Sequence, residues 1–152
     1  TGEWKQAKDL PQIWADIVIV SKGDLKLPLE VGDFPGLLKK YPITDMQNGE
    51  RTFNLELETS GEADFTGIPD FKDAEKVQTV FDVKRTPDKH KNGMQLADYC
   101  KQRGMKQGII IPLNDKTEQN FSKPIIYDEK MLNGYYEMLK EKRKDFRNRY
   151  GL

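Results

Sequence analysis

Asp82 and Lys84 stand two residues apart, Asp70 lies twelve residues before Asp82, and Gln95 and Tyr99 follow four residues apart. Acids and a lysine at these spacings suit the hydrolysis of a phosphate ester. Residues 77–84, VQTVFDVK, are rich in β-branched and apolar types and read as a strand. Side chains alternate along a strand, so Asp82 and Lys84 share a face, roughly 6.6 Å apart along the chain. Residues 63–71, ADFTGIPDF, read as the preceding strand, joined through the polar turn FKDAEK. Antiparallel pairing across that turn puts Asp70 beside Asp82. Two carboxylates on one sheet face are costly unless something positive sits between them. A hard divalent cation such as Mg²⁺ meets that need, since it takes oxygen ligands. Lys84 then orients or deprotonates a water attacking a phosphate, while the cation offsets developing negative charge.

The series Gly67-Ile68-Pro69-Asp70, Asp82-Val83-Lys84 and Gln95-Leu96-Ala97-Asp98-Tyr99 resembles the GxxD, DxK and QxxxY motifs of one nuclease group. That group is the RecB-type branch of the PD-(D/E)XK superfamily, which includes lambda-type and mitochondrial genome-maintenance exonucleases. One D-x-K triplet is common in any charged protein. Three motifs in order, each on the expected kind of element, are far more specific. The resemblance covers about residues 52–150. It implies a metal-dependent DNA nuclease, foremost an exonuclease hydrolysing phosphodiester bonds in recombination, replication or phage DNA processing. The implied cofactor is Mg²⁺ or Mn²⁺, held by Asp70, Asp82 and the backbone carbonyl of Val83. Lys84 places the attacking water, and Gln95 and Tyr99 line the site. A restriction-type or structure-selective endonuclease shares the same residues, and a catalytically inactive nucleic-acid-binding subunit is the third alternative. The implied partners are DNA and a helicase or recombination protein.

The chain departs from the family in one respect. Some relatives carry a histidine ligand on an early helix, yet no histidine precedes Asp70, and the single histidine is His90. Glu3, Glu30 and Asp33 are the acids considered in its place. A second GxxD, Gly61-Glu62-Ala63-Asp64, also competes with the first. Twelve residues separate Asp70 from Asp82, a span that one hairpin satisfies. From Asp64 the hairpin runs several residues longer than its turn signals suggest, so the spacing favours Asp70.

The elements that position these residues follow from the patterning. At 152 residues the chain reads as one nuclease domain, with residues 1–50 helical or irregular and 51–150 the catalytic core. Asp9, Pro11 and the spacing of Leu10, Ile13, Trp14, Ile17 and Val20 predict a helix over 10–21. GLLKKY is a short helical segment stopped near Pro42, and ITDMQNGE reads as a loop. RTFNLELET alternates Phe53, Leu55 and Leu57 against polar residues, the period of a half-buried strand. RTPDKHKNG reads as an exposed loop, MQLADYCKQR as a helix ended by Gly104, QGIIIPL as a buried strand and KPIIYDE as another. The NDKTEQN stretch between those two strands reads as a turn. The expected fold is α/β, a central mixed, partly antiparallel sheet of about five strands flanked by helices, in the manner of a restriction-endonuclease core.

Charge is balanced overall but not along the chain. Residues 1–70 hold 7 Lys/Arg against 13 Asp/Glu, whereas 71–152 hold 18 against 12. The basic half carries DxK and QxxxY, which favours contact with phosphates. The candidate contacts are Arg85, Lys89, Lys91, Lys101 and Arg103, with Lys142, Arg143, Lys144 and Arg147 on a final helix from about 128 to 150. No apolar run approaches the roughly 18 residues needed to span a bilayer, so no membrane role is expected. The one cysteine, Cys100, leaves neither an internal disulfide nor the four-cysteine iron–sulfur cluster of some relatives. That usage fits an intracellular setting, the cytoplasm or a host's cytoplasm for a phage-encoded chain.

Overall fold

The computed structural model describes residues 34–113 and 122–151. Its elements in chain order are α1 (Phe34–Lys40), β1 (Ile43–Asn48), β2 (Arg51–Asn54), β3 (Thr59–Glu62), β4 (Phe65–Pro69), β5 (Thr79–Lys84), α2 (Lys89–Arg103), β6 (Gly108–Pro112), β7 (Ile125–Tyr127) and α3 (Glu129–Tyr150). Both the expected helix over 10–21 and the NDKTEQN turn lie outside the described residues. None of the described helices is long and apolar enough to cross a membrane.

The fold is α/β, with a five-stranded mixed sheet in the order β1-β4-β5-β6-β7. β5 and β6 are parallel, and every other pairing is antiparallel. A parallel pair needs a long crossover, and α2 supplies it. Successive side chains of β5 go to opposite layers. Phe81 packs with Leu37, Ile43, Phe65, Ile109 and Ile111 on the α1 side. Val80 packs with Ile110 and with Met94, Leu96, Ala97, Cys100, Leu132 and Tyr136 on the α2–α3 side. By the same alternation, Asp82 and Lys84 face α2.

Three expectations are corrected. ITDMQNGE is not a loop, because Ile43–Asn48 forms the edge strand β1. Only Ile43 and Met46 are apolar there, so its strand character comes from hydrogen bonding to β4, across a bulge between Thr44 and Gln47. RTFNLELET is not one strand with Phe53, Leu55 and Leu57 buried. It breaks into β2 and a turn, and β2 with β3 makes a separate two-stranded ribbon. Phe53 and Leu55 are 65% and 92% exposed, while Asn54 is buried with Leu57. The loop after β5 is shorter than expected, since α2 begins at Lys89. Asp88 caps it by accepting from Lys91 N at 3.0 Å, and Asn92 Oδ1 accepts from Asp88 N at 2.7 Å. Gly104 ends α2 in the left-handed conformation at φ 67°, as its position after the basic last turn predicts.

Candidate functional site

The sheet register decides which acid meets Asp82. Phe65 pairs with Phe81, Thr66 with Val80 and Gly67 with Thr79. One step outward, the residue opposite Asp82 is Asp64. The Phe65 and Phe81 rings stack across the strands at 4.9 Å and hold this register in the core. Asp64 Oδ2 accepts from Val83 N at 2.7 Å. Lys84 Nζ lies 3.1 Å from Asp82 Oδ2, and Asp82 is 5% exposed.

Asp70 is therefore not beside Asp82. It sits past the other end of β4, about 20 Å along the chain from Asp64, with its side chain 61% exposed and 3.6 Å from Lys76. The physical reason lies in the connection between β4 and β5, which is longer than the FKDAEK turn. Gln107 braces it from the start of β6: Oε1 accepts from Glu75 N at 2.9 Å, while Nε2 donates to Glu75 O at 3.0 Å and to Thr79 Oγ1 at 2.9 Å. The GxxD that reaches the site is Gly61-Glu62-Ala63-Asp64.

Burial pushes the Asp64 carboxyl up to about 7, and the adjoining Asp82 carboxylate pushes in the same direction. The Val83 N–H and the Lys84 ammonium oppose this only in part. Two acids thus face each other in a partly desolvated corner, one of them inclined to keep a proton. Residues of an extended strand send N–H and C=O to the same side, so the Val83 carbonyl is directed toward the β4 edge, where Asp64 stands. The oxygen donors gathered there are two carboxylates and one carbonyl. Among the described residues no group of three or more His, Cys, Asp or Glu could hold a metal ion.

Helix α2 brings Gln95 and Tyr99 to the same corner, as their four-residue spacing predicts. Tyr99 covers Gly61 closely, since a Cβ at Gly61 would lie 2.5 Å from the Tyr99 ring. The glycine of GxxD is thus the seat of the tyrosine of QxxxY. Burial raises the Tyr99 hydroxyl above its ordinary value, with Asp82 adding to the effect and the Glu62 backbone opposing it. Gln95 Oε1 is buried with no hydrogen-bond partner among the described residues. It lines a groove of about 480 Å³ with Lys84, Thr86, Asp88, Lys89 and Lys91. This groove opens at the carboxyl end of β5, where α/β sheets place their ligands.

The predicted basic residues divide into two sets. Lys89 and Lys91 line the groove beside Lys84. The rest are largely engaged elsewhere. Lys101 sits 5.6 Å from the Tyr136 ring centroid, and Arg103 pairs with Glu50 at 3.2 Å. Arg143 meets Glu58 at 3.1 Å, and Arg147 meets the same carboxylate. Arg85, Lys142 and Lys144 are exposed. His90 lies in the first turn of α2 with its ring 5.6 Å from Tyr135.

Asp64 was legible in the sequence as the weaker of two GxxD matches. Nothing in the local sequence singled out Asn54, Thr59 or Asp98, which hydrogen-bond to one another between the ribbon and α2.

No family model matches the chain, and no curated protein matches it. Among solved structures it is similar to a protein called SSO0001, at 16% identity and a TM-score of 0.38. The match takes in 79% of this chain and 57% of that one, so this chain spans little more than half of that protein's length. The functional reading therefore rests on the geometry of the site itself.

Proposed function

We propose that this chain is a Mg²⁺- or Mn²⁺-dependent deoxyribonuclease of the RecB-like, PD-(D/E)XK kind, acting as an exonuclease. The observation that carries this reading is the convergence of Asp64, Asp82 and Lys84 on one sheet face, with Gln95 and Tyr99 brought over them by α2. The donor set fits a hard cation. Asp64 and Asp82 would hold it with the Val83 carbonyl, and their mutual repulsion disappears when a positive charge lies between them. When bound, such an ion lowers the pKa of a coordinated water and offsets charge growing on a phosphate. Asp82 anchors the Lys84 ammonium, and Lys84 in turn orients the attacking water and a phosphate oxygen. Tyr99 closes one side of the corner over Gly61. Lys89 and Lys91 draw the DNA backbone into the groove.

The test is cleavage of labelled linear duplex by the purified chain with Mn²⁺ or Mg²⁺ and with EDTA. Metal-dependent release of nucleotides from the ends, with covalently closed DNA left intact, is the expected result. Nicking of the closed form identifies an endonuclease instead. Metal-independent binding without cleavage reduces the chain to a binding subunit.

On this reading, the cations that DNA senses are those lining the groove. Replacing Lys89 and Lys91 with Gln is expected to make the log–log salt dependence of duplex binding shallower, by about 0.9 for each phosphate no longer neutralised. Arg143 and Arg147 already share Glu58. Their replacement with Gln is expected to leave that slope unchanged and to loosen the ribbon's attachment to α3 instead. Binding titrations over a range of salt concentrations separate the two outcomes.

A further inference from the structure

A second buried polar cluster joins α2 to the β2–β3 ribbon. Asp98, 8% exposed, accepts from Asn54 Nδ2 at 2.8 Å through Oδ1 and from Thr59 Oγ1 at 2.7 Å through Oδ2. Asn54 Nδ2 also lies 3.1 Å from the Tyr136 hydroxyl, and Asn54 Oδ1 accepts from Leu57 N at 3.1 Å. Asp98 forms no ion pair among the described residues. A buried carboxylate held only by neutral donors is a costly way to pack a helix, which an apolar residue of similar volume does more cheaply. What the carboxylate adds is direction, since both of its oxygens are claimed by named atoms of the ribbon. The next residue of α2, Tyr99, covers Gly61 and meets the Glu62 backbone. Consecutive residues of one helix therefore grip β3 at Thr59 and again at Gly61–Glu62. Asp64 follows two residues after β3 ends.

We propose that Asp98 is a positioning residue, which fixes β3 on α2 through Thr59 and Asn54 and thereby sets where Asp64 stands against Val83. Only the buried Ala63 separates the end of β3 from the bend at Asp64, so a displacement at Thr59 is passed along β3 to Asp64. The helix that carries Gln95 and Tyr99 thus also holds the strand that delivers the first carboxylate. Any catalytic consequence rests on the nuclease reading above, whereas the placement of Asp64 does not.

The Val83 amide tests this directly, because it donates to Asp64 Oδ2 at 2.7 Å. The Val80 amide, which donates to Gln107 O at 3.1 Å, serves as the control on the same strand. Amide hydrogen exchange is followed by NMR on the full chain without metal. Thr59→Val keeps the side chain's shape and loses its donor, and Asp98→Ala removes both acceptors. Each is expected to speed Val83 exchange by about tenfold or more while Val80 stays within about twofold. Thr59→Ser, which keeps the hydroxyl, is expected to retain Val83 protection. If Asp98→Ala does not fold, the comparison of Thr59→Val with Thr59→Ser decides alone. Unchanged Val83 exchange in Thr59→Val overturns the proposal, since β4 alone then places Asp64. Equal acceleration of Val80 and Val83 also overturns it, since the cluster then only stabilises the fold. Neither metal nor cleavage enters the measurement, so its outcome is separate from that of the nuclease assay.

Discussion

Asp64→Asn is expected to abolish metal-dependent DNA cleavage, while Asp70→Asn leaves turnover within about twofold of the unaltered protein. The contrast follows from the sheet register. Asp64 stands opposite Asp82, whereas Asp70 lies at the far end of β4 beside Lys76. On the nuclease reading, replacing one of the two carboxylates that would hold the cation by an amide removes a full charge from the ligand set, and losses of about three orders of magnitude are ordinary for transition-state charge stabilisation. Asn at 64 can still accept from Val83 N, so the fold is retained. Calorimetric titration with Mn²⁺ alone checks the ligand role without reference to activity. Intact Mn²⁺ binding in Asp64→Asn, or its loss in Asp70→Asn, would move the site back to the other GxxD.

The same substitution has an effect on stability whose sign is fixed by the carboxyl's shift. Asp64 ordinarily titrates near 3.8 and is pushed up to about 7, by burial first and by Asp82 second. A carboxyl raised in the folded state supports folding fully below its ordinary value and loses that support as pH rises through about 7. Without metal, the unaltered protein is therefore expected to be less stable at pH 8 than at pH 5 on account of this group. Asn carries no such penalty. Asp64→Asn is expected to gain on the order of 2 kcal/mol over the unaltered protein at pH 8, a figure reduced for the side chain's partial exposure, and little at pH 5. Urea denaturation in EDTA at the two pH values measures the difference.

Lys84→Ala is expected to lower cleavage turnover by about two to four orders of magnitude while DNA affinity changes by only a few fold. Lys84 is held 3.1 Å from Asp82 and lines the same groove as Gln95. On the nuclease reading, a group placed there would act on the reacting water and phosphate, and would contribute one charge among several to binding. Single-turnover kinetics and equilibrium binding in Ca²⁺ separate the two quantities. An affinity loss as large as the turnover loss would make Lys84 a clamp on the DNA backbone instead. Lys84→Arg sharpens the test, since it preserves the charge but not the compact ammonium.

Much of the frame was written locally. The β-branched run at 77–84 predicts β5, and the period of two puts Asp82 and Lys84 on one face, as found. The apolar run before Pro112 predicts a strand buried on both sides, and β6 is buried throughout. The spacing of Gln95 and Tyr99 predicts a shared helix face turned to the same corner. Each of these follows from interactions within a few residues, which repeat with the period of the element itself.

The partner of Asp82 was not local information. Turn residues suggested a short hairpin, and only the stacking of Phe65 on Phe81 and the hold of Gln107 on Glu75 reveal the longer connection that brings Asp64 into register. Likewise, the sequence shows that α3 is basic but not that Arg143 and Arg147 meet Glu58, a residue 85 and 89 positions away in the chain. The edge strand β1 has too few apolar residues to announce itself and exists because β4 offers it hydrogen bonds. Because backbone geometry repeats, local patterning already showed which side chains lie on the same face of an element. Which elements face each other, and hence which acid completes the pair and which cations are held in ion pairs, was decided only by packing between distant parts of the chain.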